Sequence, residues 1–368
     1  MSLLNFRGSL IALLVQQGVR VSAFAPDYDA LTRARVAALG ATPIDFSLDR
    51  TGMRLMRDVR DIMRLLRLLR RLRPDCLLTY FVKPNIYGTM AGVLAGVPRR
   101  FAMIEGLGYV FIEDGAAMTV RRRALQTLTR TLYKSALSHV AKAVFLNTDD
   151  IAFFTDHGLV APDKIINLGG IGVDLDRFRA DLPIAVPATF ILVARLLREK
   201  GISEYLQAAA LVKRMHPEVR FLLVGGTDPS PGGFPEAEVR RAEAASVVTW
   251  LGAVDDVRPF IVRSSVFVLP SYREGLPRST QEAMAMSRPV ITTDVPGCRD
   301  TIEPGINGLM VPARSTQGLA DAMLWFVAHP EAVAPMGAAS RAMAERNFNV
   351  VDKDRRLYAM LMDDTDSF

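Results

Sequence analysis

The hydrophobic pattern of this sequence alternates between short apolar runs and longer amphipathic stretches. Runs such as Asp75–Tyr80 and Val266–Leu269 are bounded by turn residues, which is typical of buried strands. The stretches 53–72 and 117–141 instead repeat their apolar positions with a helical period. Because strand and helix alternate in this way to about residue 328, the pattern predicts an α/β protein with parallel sheets. After Pro330 it predicts helices, the last near 351–362.

The length of the chain predicts two domains. A chain of 368 residues is too long for one ordinary domain and suits two of about 150–200 residues each. Half of the residues are hydrophobic, which is enough for two sizeable cores. Two prolines mark the segment 181–188 as a linker, and we place the domains at 1–182 and 183–346.

One stretch, Val268–Val311, contains the most specific local pattern. Its opening strand leads into a tight loop shaped by Gly275 and Pro277, and Ser279 or Thr280 can cap the helix that follows. A helix that begins at the carboxyl edge of a parallel strand presents free N–H groups and the positive end of its dipole there. We therefore expect this loop and helix to bind phosphate.

Two carboxylates accompany this loop. Glu274 lies in the loop and Glu282 in the first turns of the helix, in a Glu-x7-Glu pattern. Such carboxylates can accept hydrogen bonds from sugar hydroxyls while the backbone amides hold a diphosphate. Taken alone, the Glu-x7-Glu spacing is common, and Glu282 is better explained as an acidic residue favoured by the helix dipole. The agreement of strand, loop and following Pro-Val-Ile strand favours the sugar-diphosphate interpretation.

Positive charge is concentrated in the first half of the chain. Residues 1–180 contain 25 Lys and Arg against 16 Asp and Glu, whereas residues 181–368 contain 20 against 23. The predicted helix 53–72 places on one face Arg54, Arg57, Arg60, Arg64, Arg67, Arg70, Arg71 and, just beyond, Arg73. Its opposite, packed face is predicted to hold Leu55, Met56, Val59, Ile62, Met63, Leu66 and Leu69.

This basic face has two interpretations. One is an ordinary solvated face of a packed helix. The other is attraction to the anionic headgroups of a membrane, to which the basic helix beginning at Arg121 would contribute. Because aromatic residues are not interleaved with the arginines, we do not expect nucleic acid as a partner.

Several protein classes are disfavoured by the sequence. Cys76 and Cys298 lie far apart and form neither a disulfide framework nor a zinc spacing, which indicates a reducing cytoplasm. We reject a signal peptide because Gln16, Gln17 and Arg20 interrupt the first apolar stretch, and no apolar run reaches about 18 residues. The histidines show no ligand spacing and no Asp-x-Asp triplet closes a buried strand, so we assign no metal.

Further segments of the second half follow the order seen in a known family: Arg195–Gly201, Phe221–Gly226 and Trp250–Ala253. Together with Glu274 and Glu282, they resemble the retaining glycosyltransferases of the GT4 family. The resemblance covers nearly all of the chain and is most specific over residues 165–312.

The resemblance implies a GT-B fold, in which two Rossmann-like parallel-sheet domains face a cleft. It also implies that the last helix, within 347–368, crosses back to pack on the first domain. Such a fold opens on a strand, whereas this chain opens at Leu3–Gly8, which looks like the loop that follows that strand. We therefore expect the first strand of the N-terminal domain to be missing.

For the donor, the resemblance implies transfer of a hexose or N-acetylhexosamine from a UDP-sugar, with retention and without metal or other cofactor. Arg195 and Lys200 would grip the diphosphate, Glu282 would bind the ribose, and Glu274 would position the sugar and stabilise its charge. Glu274, Arg195 and Lys200 are thus the predicted catalytic residues. The predicted donor-binding set is Arg195, Lys200, Gly225, Gly252, Glu274, Gly275, Leu276, Pro277, Arg278 and Glu282.

For the acceptor, the resemblance implies a site on the first domain, at loops that follow the carboxyl ends of its strands. The predicted acceptor-side residues are Arg7, Gly8, Lys83, Asn85, Tyr87, Glu105 and Tyr109. The loops Lys83–Gly88 and Glu105–Tyr109 are equally compatible with plain turns. Many similar bacterial enzymes extend lipid-linked polysaccharide precursors. We therefore expect a glycan or undecaprenyl-diphosphate-linked acceptor, and a peripheral position on the inner face of the cytoplasmic membrane.

Two other functions stay open at this point. A nucleotide-sugar epimerase of the same fold would release a free sugar or an epimer without an acceptor. An inactive relative, lacking the first strand, would only bind a nucleotide or a partner.

Overall fold

The computed structural model describes residues 2–26, 28–46, 55–108, 111, 119–179 and 187–362. The chain forms two compact units. The first comprises Met1–Phe111, Ala117–Ile171 and Val350–Phe368, and the second comprises Gly172–Asn349 with Ile112–Ala116. All pairs between the strands named below are parallel, so the predicted α/β class with parallel sheets is confirmed.

The first unit alternates helices and strands from its beginning. In chain order these are α1 (Ser2–Gln16), β1 (Ser22–Ala25), α2 (Ala30–Ala38), β2 (Thr42–Asp45), α3 (Leu55–Leu72), β3 (Cys76–Tyr80), α4 (Thr89–Ala95), β4 (Arg99–Ile104), α5 (Val120–Leu137), β5 (Lys142–Phe145), α6 (Thr148–Asp156) and β6 (Ile165–Asn167).

The strands of the first unit form two separate sheets. β1 pairs with β2, and β3, β4, β5 and β6 pair in sequential order. Within the described ranges, no strand pairs with both β1 and β3. The chain enters this unit through α1, which begins at Ser2, so the segment Leu3–Gly8 that was predicted as a loop is part of this helix.

The core of the four-stranded sheet lies around β4 and β5. Residues 101–104 and 143–145 are almost completely buried, because helices cover both faces of a parallel sheet. Tyr133 and Leu137 of α5 and Phe154 of α6 belong to the same apolar cluster. Because β3 and β4 pair in parallel, their carboxyl ends lie side by side at one edge of this sheet.

Helix α3 departs from its predicted packing. Leu65, Leu66 and Leu69 are buried as part of the packed stripe, but Val59 is 57% exposed and Met63 is 43% exposed. Met63 lies two residues before the buried Leu65. Residues two apart on a helix are separated by roughly 200° around its axis, so Met63 points away from the core. The predicted packed face was therefore too wide. Arg60, Arg64, Arg67, Arg70 and Arg71 are exposed as predicted, and Arg54 lies outside the described residues.

The second unit contains one six-stranded sheet. Its elements are β7 (Thr189–Val193), α7 (Ile202–Met215), β8 (Arg220–Val224), α8 (Glu236–Ala244), β9 (Thr249–Trp250), α9 (Arg258–Ile261), β10 (Val266–Leu269), α10 (Arg278–Ala285), β11 (Val290–Thr293), β12 (Gly308–Val311), α11 (Thr316–Ala328) and α12 (Val333–Asn347).

The strand order in this sheet is β12-β11-β10-β7-β8-β9. The order reverses between β7 and β10. These two strands are neighbours in the sheet, although α7, β8, α8, β9 and α9 lie between them in the chain. In open α/β sheets, ligands bind outside the carboxyl ends of the strands at such a reversal. We therefore expect a ligand site at the loops that follow β7 and β10.

The last helix, α13 (Val350–Met362), belongs to the first unit. Lys353 donates from Nζ to the carbonyl oxygen of Leu168 (2.6 Å), and Arg356 donates to that of Asn167 (2.9 Å). Asn349, which directly precedes α13, belongs to the second unit. Within that unit, the Val173 N–H donates to the Phe348 carbonyl (2.7 Å). Most of the predicted linker, residues 181–186, lies outside the described residues.

Buried Lys353 generates a pH prediction. Desolvation, with a smaller contribution from Arg356, lowers the pKa of Lys353 from 10.5 to about 8. Between these two values the unfolded chain holds a proton that the folded chain has lost, and stability rises with pH wherever the unfolded state binds more protons. We expect the urea midpoint of the wild type, relative to that of Lys353→Met, to increase from about pH 8 to about pH 10.5. Circular dichroism measures both midpoints; a difference that is constant over this range would contradict the lowered pKa.

Candidate active site

The carboxyl ends of β7, β8, β9 and β10 come together in the second unit. Gly225, at the end of β8, donates its N–H to Gly252 after β9 (2.8 Å), and its carbonyl accepts from the Trp250 indole (2.9 Å). Gly201, at φ +68°, lies so close to Pro270 that a Cβ there would overlap the proline carbonyl. Glycine at Gly201 thus allows the loop after β7 to lie directly against the loop after β10.

Lys200 and Glu274 meet at this junction. The Lys200 Nζ lies 2.5 Å from Glu274 Oε1, and the Ser271 hydroxyl donates to the same oxygen at 2.7 Å. Both charged side chains are largely buried, with 19% and 11% exposed. The lysine predicted on the diphosphate and the carboxylate predicted on the sugar are therefore direct partners.

Arg195 lies at the same edge with an acidic partner that sequence reasoning missed. Its guanidinium contacts Asp228 Oδ2 at 2.5 Å and is 69% exposed. Hydrogen bonds from Ser230, followed by the charge of Arg195, hold the pKa of Asp228 below its usual value. Asp228 stands in the loop after β8, and its place three residues beyond Gly225 was the available sequence signal.

The loops after β7 and β8 also pair through their backbones. The Phe234 N–H donates to the Leu196 carbonyl (2.9 Å), and the Arg198 N–H donates to that of Gly232 (2.9 Å). These bonds fix the segment between Arg195 and Lys200 against the loop that carries Asp228. Both predicted diphosphate cations therefore project from a braced loop.

Helix α10 begins differently from the prediction. Its first residue is Arg278, Pro277 occupies the N-cap position, and no side chain caps the helix. Ser279 and Thr280, predicted as caps, lie inside the first turn, because the extended conformation of Pro277 (φ −70°, ψ 119°) lets the helix start directly after it. The uncapped N–H groups of this turn suit an anion.

Glu282 is paired within α10. Arg278 Nε lies 3.0 Å from Glu282 Oε1, and the two side chains are 22% and 15% exposed. Burial raises the pKa of Glu282, while the Arg278 charge opposes that rise. The predicted donor residues Gly275 and Leu276 lie in the loop just before this helix.

Two arginines that the sequence did not single out hold the other end of α10. Arg288 is fully buried and donates to the carbonyls of Ile261 and Val262 (both 2.9 Å) and of Met286 (2.7 Å). Arg341 of α12 donates to the Ala285 carbonyl at 2.7 Å. Cations at a helix C-terminus are stabilising, so these contacts fix the helix whose first turn carries the predicted anion site.

In the first unit, Arg7 and Glu105 form an ion pair. The Arg7 side chain is 4% exposed and that of Glu105 is 11% exposed. The guanidinium also lies 4.9 Å from the centre of the Tyr80 ring and donates to the Met103 sulfur. The structure thus brings together two predicted acceptor-side residues, but their charges are largely neutralised by each other.

The segment predicted as the loop 83–88 is a helical turn. Residues 84–88 form one π-helical turn that continues into α4. Asn85 is completely buried, and its side-chain amide donates to the Met103 carbonyl at 2.7 Å, which anchors the turn to β4. The loop prediction was wrong because Pro84 starts this helix and Gly88 does not end it. Single π turns are often found at functional sites.

The other predicted acceptor-side residues occupy different surroundings. Lys83 and Tyr87 are partly buried, and Gly8 on α1 has free space around its Cα. Gly108 lies against Val82, so the loops after β3 and β4 are in contact. Tyr109 lies outside the described residues.

Two further observations concern metal ligands and cysteine in the described ranges. No cluster of three or more His, Cys, Asp or Glu residues there could hold a metal ion. Burial raises the pKa of the Cys298 thiol to about 12, so this cysteine is not a thiolate at neutral pH. No helix within the same ranges is long and apolar enough to cross a bilayer.

Two family models match the chain. Residues 6–167 match the glycosyl transferase 4-like domain, and residues 187–329 match glycosyl transferases group 1. The two matches correspond to the two units and together cover most of the chain. The chain belongs to the GT4-like glycosyltransferase family.

Individual relatives of this GT4-like chain agree with that assignment. It is 29% identical over 252 residues to the N,N'-diacetylbacillosaminyl-diphospho-undecaprenol alpha-1,3-N-acetylgalactosaminyltransferase of Campylobacter jejuni. The matched region covers 65% of this chain and 64% of that protein. The chain spans between 50% and 64% of the length of the curated relatives it matches first.

Solved structures confirm the predicted GT-B fold for the GT4-like chain. Sucrose-phosphate synthase from Thermosynechococcus elongatus superposes with a TM-score of 0.74 at 20% identity, covering 96% of this chain and 90% of that one. The Anabaena protein HepE, in complex with UDP and glucose, gives a TM-score of 0.72 at 16% identity, covering 96% and 94%.

The paired cations of the second unit generate a binding prediction. We expect UDP to bind with EDTA present, and Lys200→Ala to weaken binding about tenfold or more, because charge-assisted contacts are worth about 1.5–3 kcal/mol. Isothermal titration calorimetry measures both affinities. Lys213→Ala, which removes a lysine of the same unit on α7, is the matched control and should leave the affinity unchanged. Loss of binding on chelation would contradict the metal-free site.

Proposed function

We propose that this protein is a retaining glycosyltransferase of bacterial polysaccharide synthesis, which transfers a hexose or N-acetylhexosamine from a UDP-sugar to a glycan acceptor. The observation that carries the proposal is the Lys200–Glu274 pair at the strand reversal, with Glu274 four residues before the first turn of α10, which no side chain caps. A cation, a carboxylate and the first-turn amides of a helix at one sheet edge fit a diphosphate joined to a sugar.

Each of these residues has a distinct role in the proposed reaction. Lys200, Arg195 and the first-turn amides of α10 hold the diphosphate and offset the negative charge that grows on it as the glycosidic bond breaks. Glu282 accepts hydrogen bonds from the ribose. Glu274 positions the sugar and stabilises the positive charge that develops at its anomeric carbon. The departing diphosphate accepts the proton of the acceptor hydroxyl, without metal.

For the acceptor we propose a lipid-linked saccharide, bound at the first unit near Arg7, Lys83 and Glu105. The name of the Campylobacter jejuni relative supports this class of acceptor, since it specifies a saccharide on diphospho-undecaprenol. The excess of basic residues before residue 180 suits a diphosphate at an anionic membrane surface.

The direct test uses purified protein, UDP-hexoses and UDP-N-acetylhexosamines, and undecaprenyl-diphosphate-linked saccharides. UDP release that requires both a donor and an acceptor supports the proposal. Free sugar or an epimer formed without acceptor identifies the epimerase instead, and UDP binding without turnover identifies an inactive relative.

The roles assigned to the two carboxylates predict different kinetic effects. Glu282→Ala should raise the donor KM about tenfold with kcat nearly unchanged, because it removes ground-state contacts to the ribose. Glu274→Ala should lower kcat at least about tenfold without raising the donor KM, since it also frees Lys200 for the diphosphate. Steady-state kinetics measures kcat and the donor KM of both variants. The control is Glu331→Ala, which removes an exposed glutamate of the same unit. Equal KM increases in the two variants would contradict the division of roles.

We also propose that α3 attaches the protein to the inner face of the cytoplasmic membrane. Exposed Arg60, Arg64 and Arg67 alternate on this helix with exposed Val59 and Met63, a combination suited to the headgroup region. Each cation close to an anionic leaflet contributes about 1 kcal/mol.

Liposome co-sedimentation tests this attachment. Binding should need anionic lipid, weaken in about 1 M salt, and fall in the triple variant Arg60→Glu, Arg64→Glu, Arg67→Glu. The matched control changes three exposed arginines of the second unit, Arg214, Arg220 and Arg263, to Glu and should bind normally. Equal losses in both triple variants would show that net charge, and not α3, determines attachment.

A further inference from the structure

Phe81 combines two unfavourable features. Its backbone has φ +70°, in the left-handed region that a bulky residue rarely adopts. Its side chain belongs to an apolar type that is usually buried, yet Phe81 is 45% exposed. Residues held in such conformations cluster at ligand sites, so an outlier of this kind points to a function.

The position of Phe81 agrees with a ligand site. It directly follows β3, at the carboxyl edge of the four-stranded sheet, where parallel sheets bind ligands. The left-handed conformation turns the chain out of the strand, and the Phe81 carbonyl accepts the Asn85 N–H at 2.9 Å, which closes the turn. Because Asn85 is itself anchored to β4, the backbone of Phe81 is fixed.

The ring of Phe81 packs against a neighbouring aromatic ring. It packs edge-to-face against Tyr80, with ring centres 5.2 Å apart and an angle of 68°. Tyr80 is in turn held by the Arg7 guanidinium at 4.9 Å. Behind the exposed ring there is thus a fixed stack that ends in the Arg7–Glu105 ion pair.

The surroundings indicate what the ring binds. An aromatic face stacks on the C–H face of a pyranose, while charged and polar neighbours bind the hydroxyls at the edge of the sugar. Lys83 follows two residues later, and Arg7 and Glu105 lie behind Tyr80. A half-exposed aromatic ring beside a partly exposed lysine suits a sugar better than a hydrocarbon chain, which would need a continuous apolar surface.

We propose that Phe81 is the platform on which the terminal pyranose of the acceptor stacks. The proposal rests on the proposed function for the name of its ligand. It assigns acceptor recognition to a residue on the first unit, whereas the predicted UDP contacts are on the second. Removal of the ring should therefore affect acceptor binding and leave UDP binding unchanged.

Four variants separate this role from a structural one. Phe81→Leu removes the ring, Phe81→Tyr keeps it, and Phe81→Gly removes both the ring and the backbone strain. Leu94→Ala, which shortens another exposed apolar side chain of the same unit, is the matched control. We expect Phe81→Leu and Phe81→Gly to raise the acceptor KM about tenfold, with donor KM and UDP affinity unchanged, and the other two to behave as wild type. Tm should be unchanged or higher in Phe81→Gly.

A structural role for Phe81 would give the reverse: a lower Tm in Phe81→Gly and an unchanged acceptor KM in both ring-free variants, which would overturn the proposal. Loss of liposome attachment without a change in acceptor KM would also overturn it, since the ring would then contact lipid.

Saturation-transfer NMR with methyl glycosides of hexoses and N-acetylhexosamines keeps this inference separate from the reaction. Glycoside binding that is lost in Phe81→Leu supports the platform even if no transfer occurs, in which case only the proposed function fails. Transfer with unaltered glycoside binding in Phe81→Leu overturns the platform alone.

Discussion

In the second unit, the buried guanidinium of Arg288 has backbone carbonyls as partners and, among the described residues, no carboxylate. Taking the charge of Arg288 out of water is costly unless its N–H groups are satisfied, and here the carbonyls at the C-terminal ends of α9 and α10 accept them. Desolvation lowers the pKa of Arg288 to about 10, and the arginine remains charged at neutral pH. The negative ends of two helices thus replace water. Removing Arg288 would take a charged donor from these carbonyls and weaken the support of α10, on whose first turn the candidate donor site depends.

The candidate donor site is a set of preformed ion pairs. Arg195 meets Asp228, Lys200 meets Glu274, and Arg278 meets Glu282. An incoming anion must compete with carboxylates that are already in place, which disfavours a simple phosphate that offers nothing in return. A sugar nucleotide brings hydroxyl groups that can satisfy Glu274 and Glu282 while its diphosphate takes the cations. Under the proposed function, this pairing of opposite charges would favour the complete donor over a simple phosphate.

The first unit uses charge differently. The buried Arg7 and the largely buried Glu105 neutralise each other beneath Tyr80, whereas Arg60, Arg64 and Arg67 of α3 are exposed at the surface. Interior charge there supports an aromatic stack, and surface charge is available to a large anionic partner. The unfavourable backbone of Phe81 is tolerated because Asn85 fixes the turn that follows it and Arg7, paired with Glu105, holds the neighbouring Tyr80 ring.

Local sequence alone determined the strand-and-helix order, because each run such as 266–269 carries its own period and its own turn residues. It also predicted that Glu274 and Glu282 accompany one loop and the helix that follows it, whereas Lys200 was assigned to the same site through the resemblance. Tertiary structure decided what these groups contact. Asp228 as the partner of Arg195, Arg288 as the support of α10, and the exposure of Met63 depend on which segments pack together, and no local pattern encodes that.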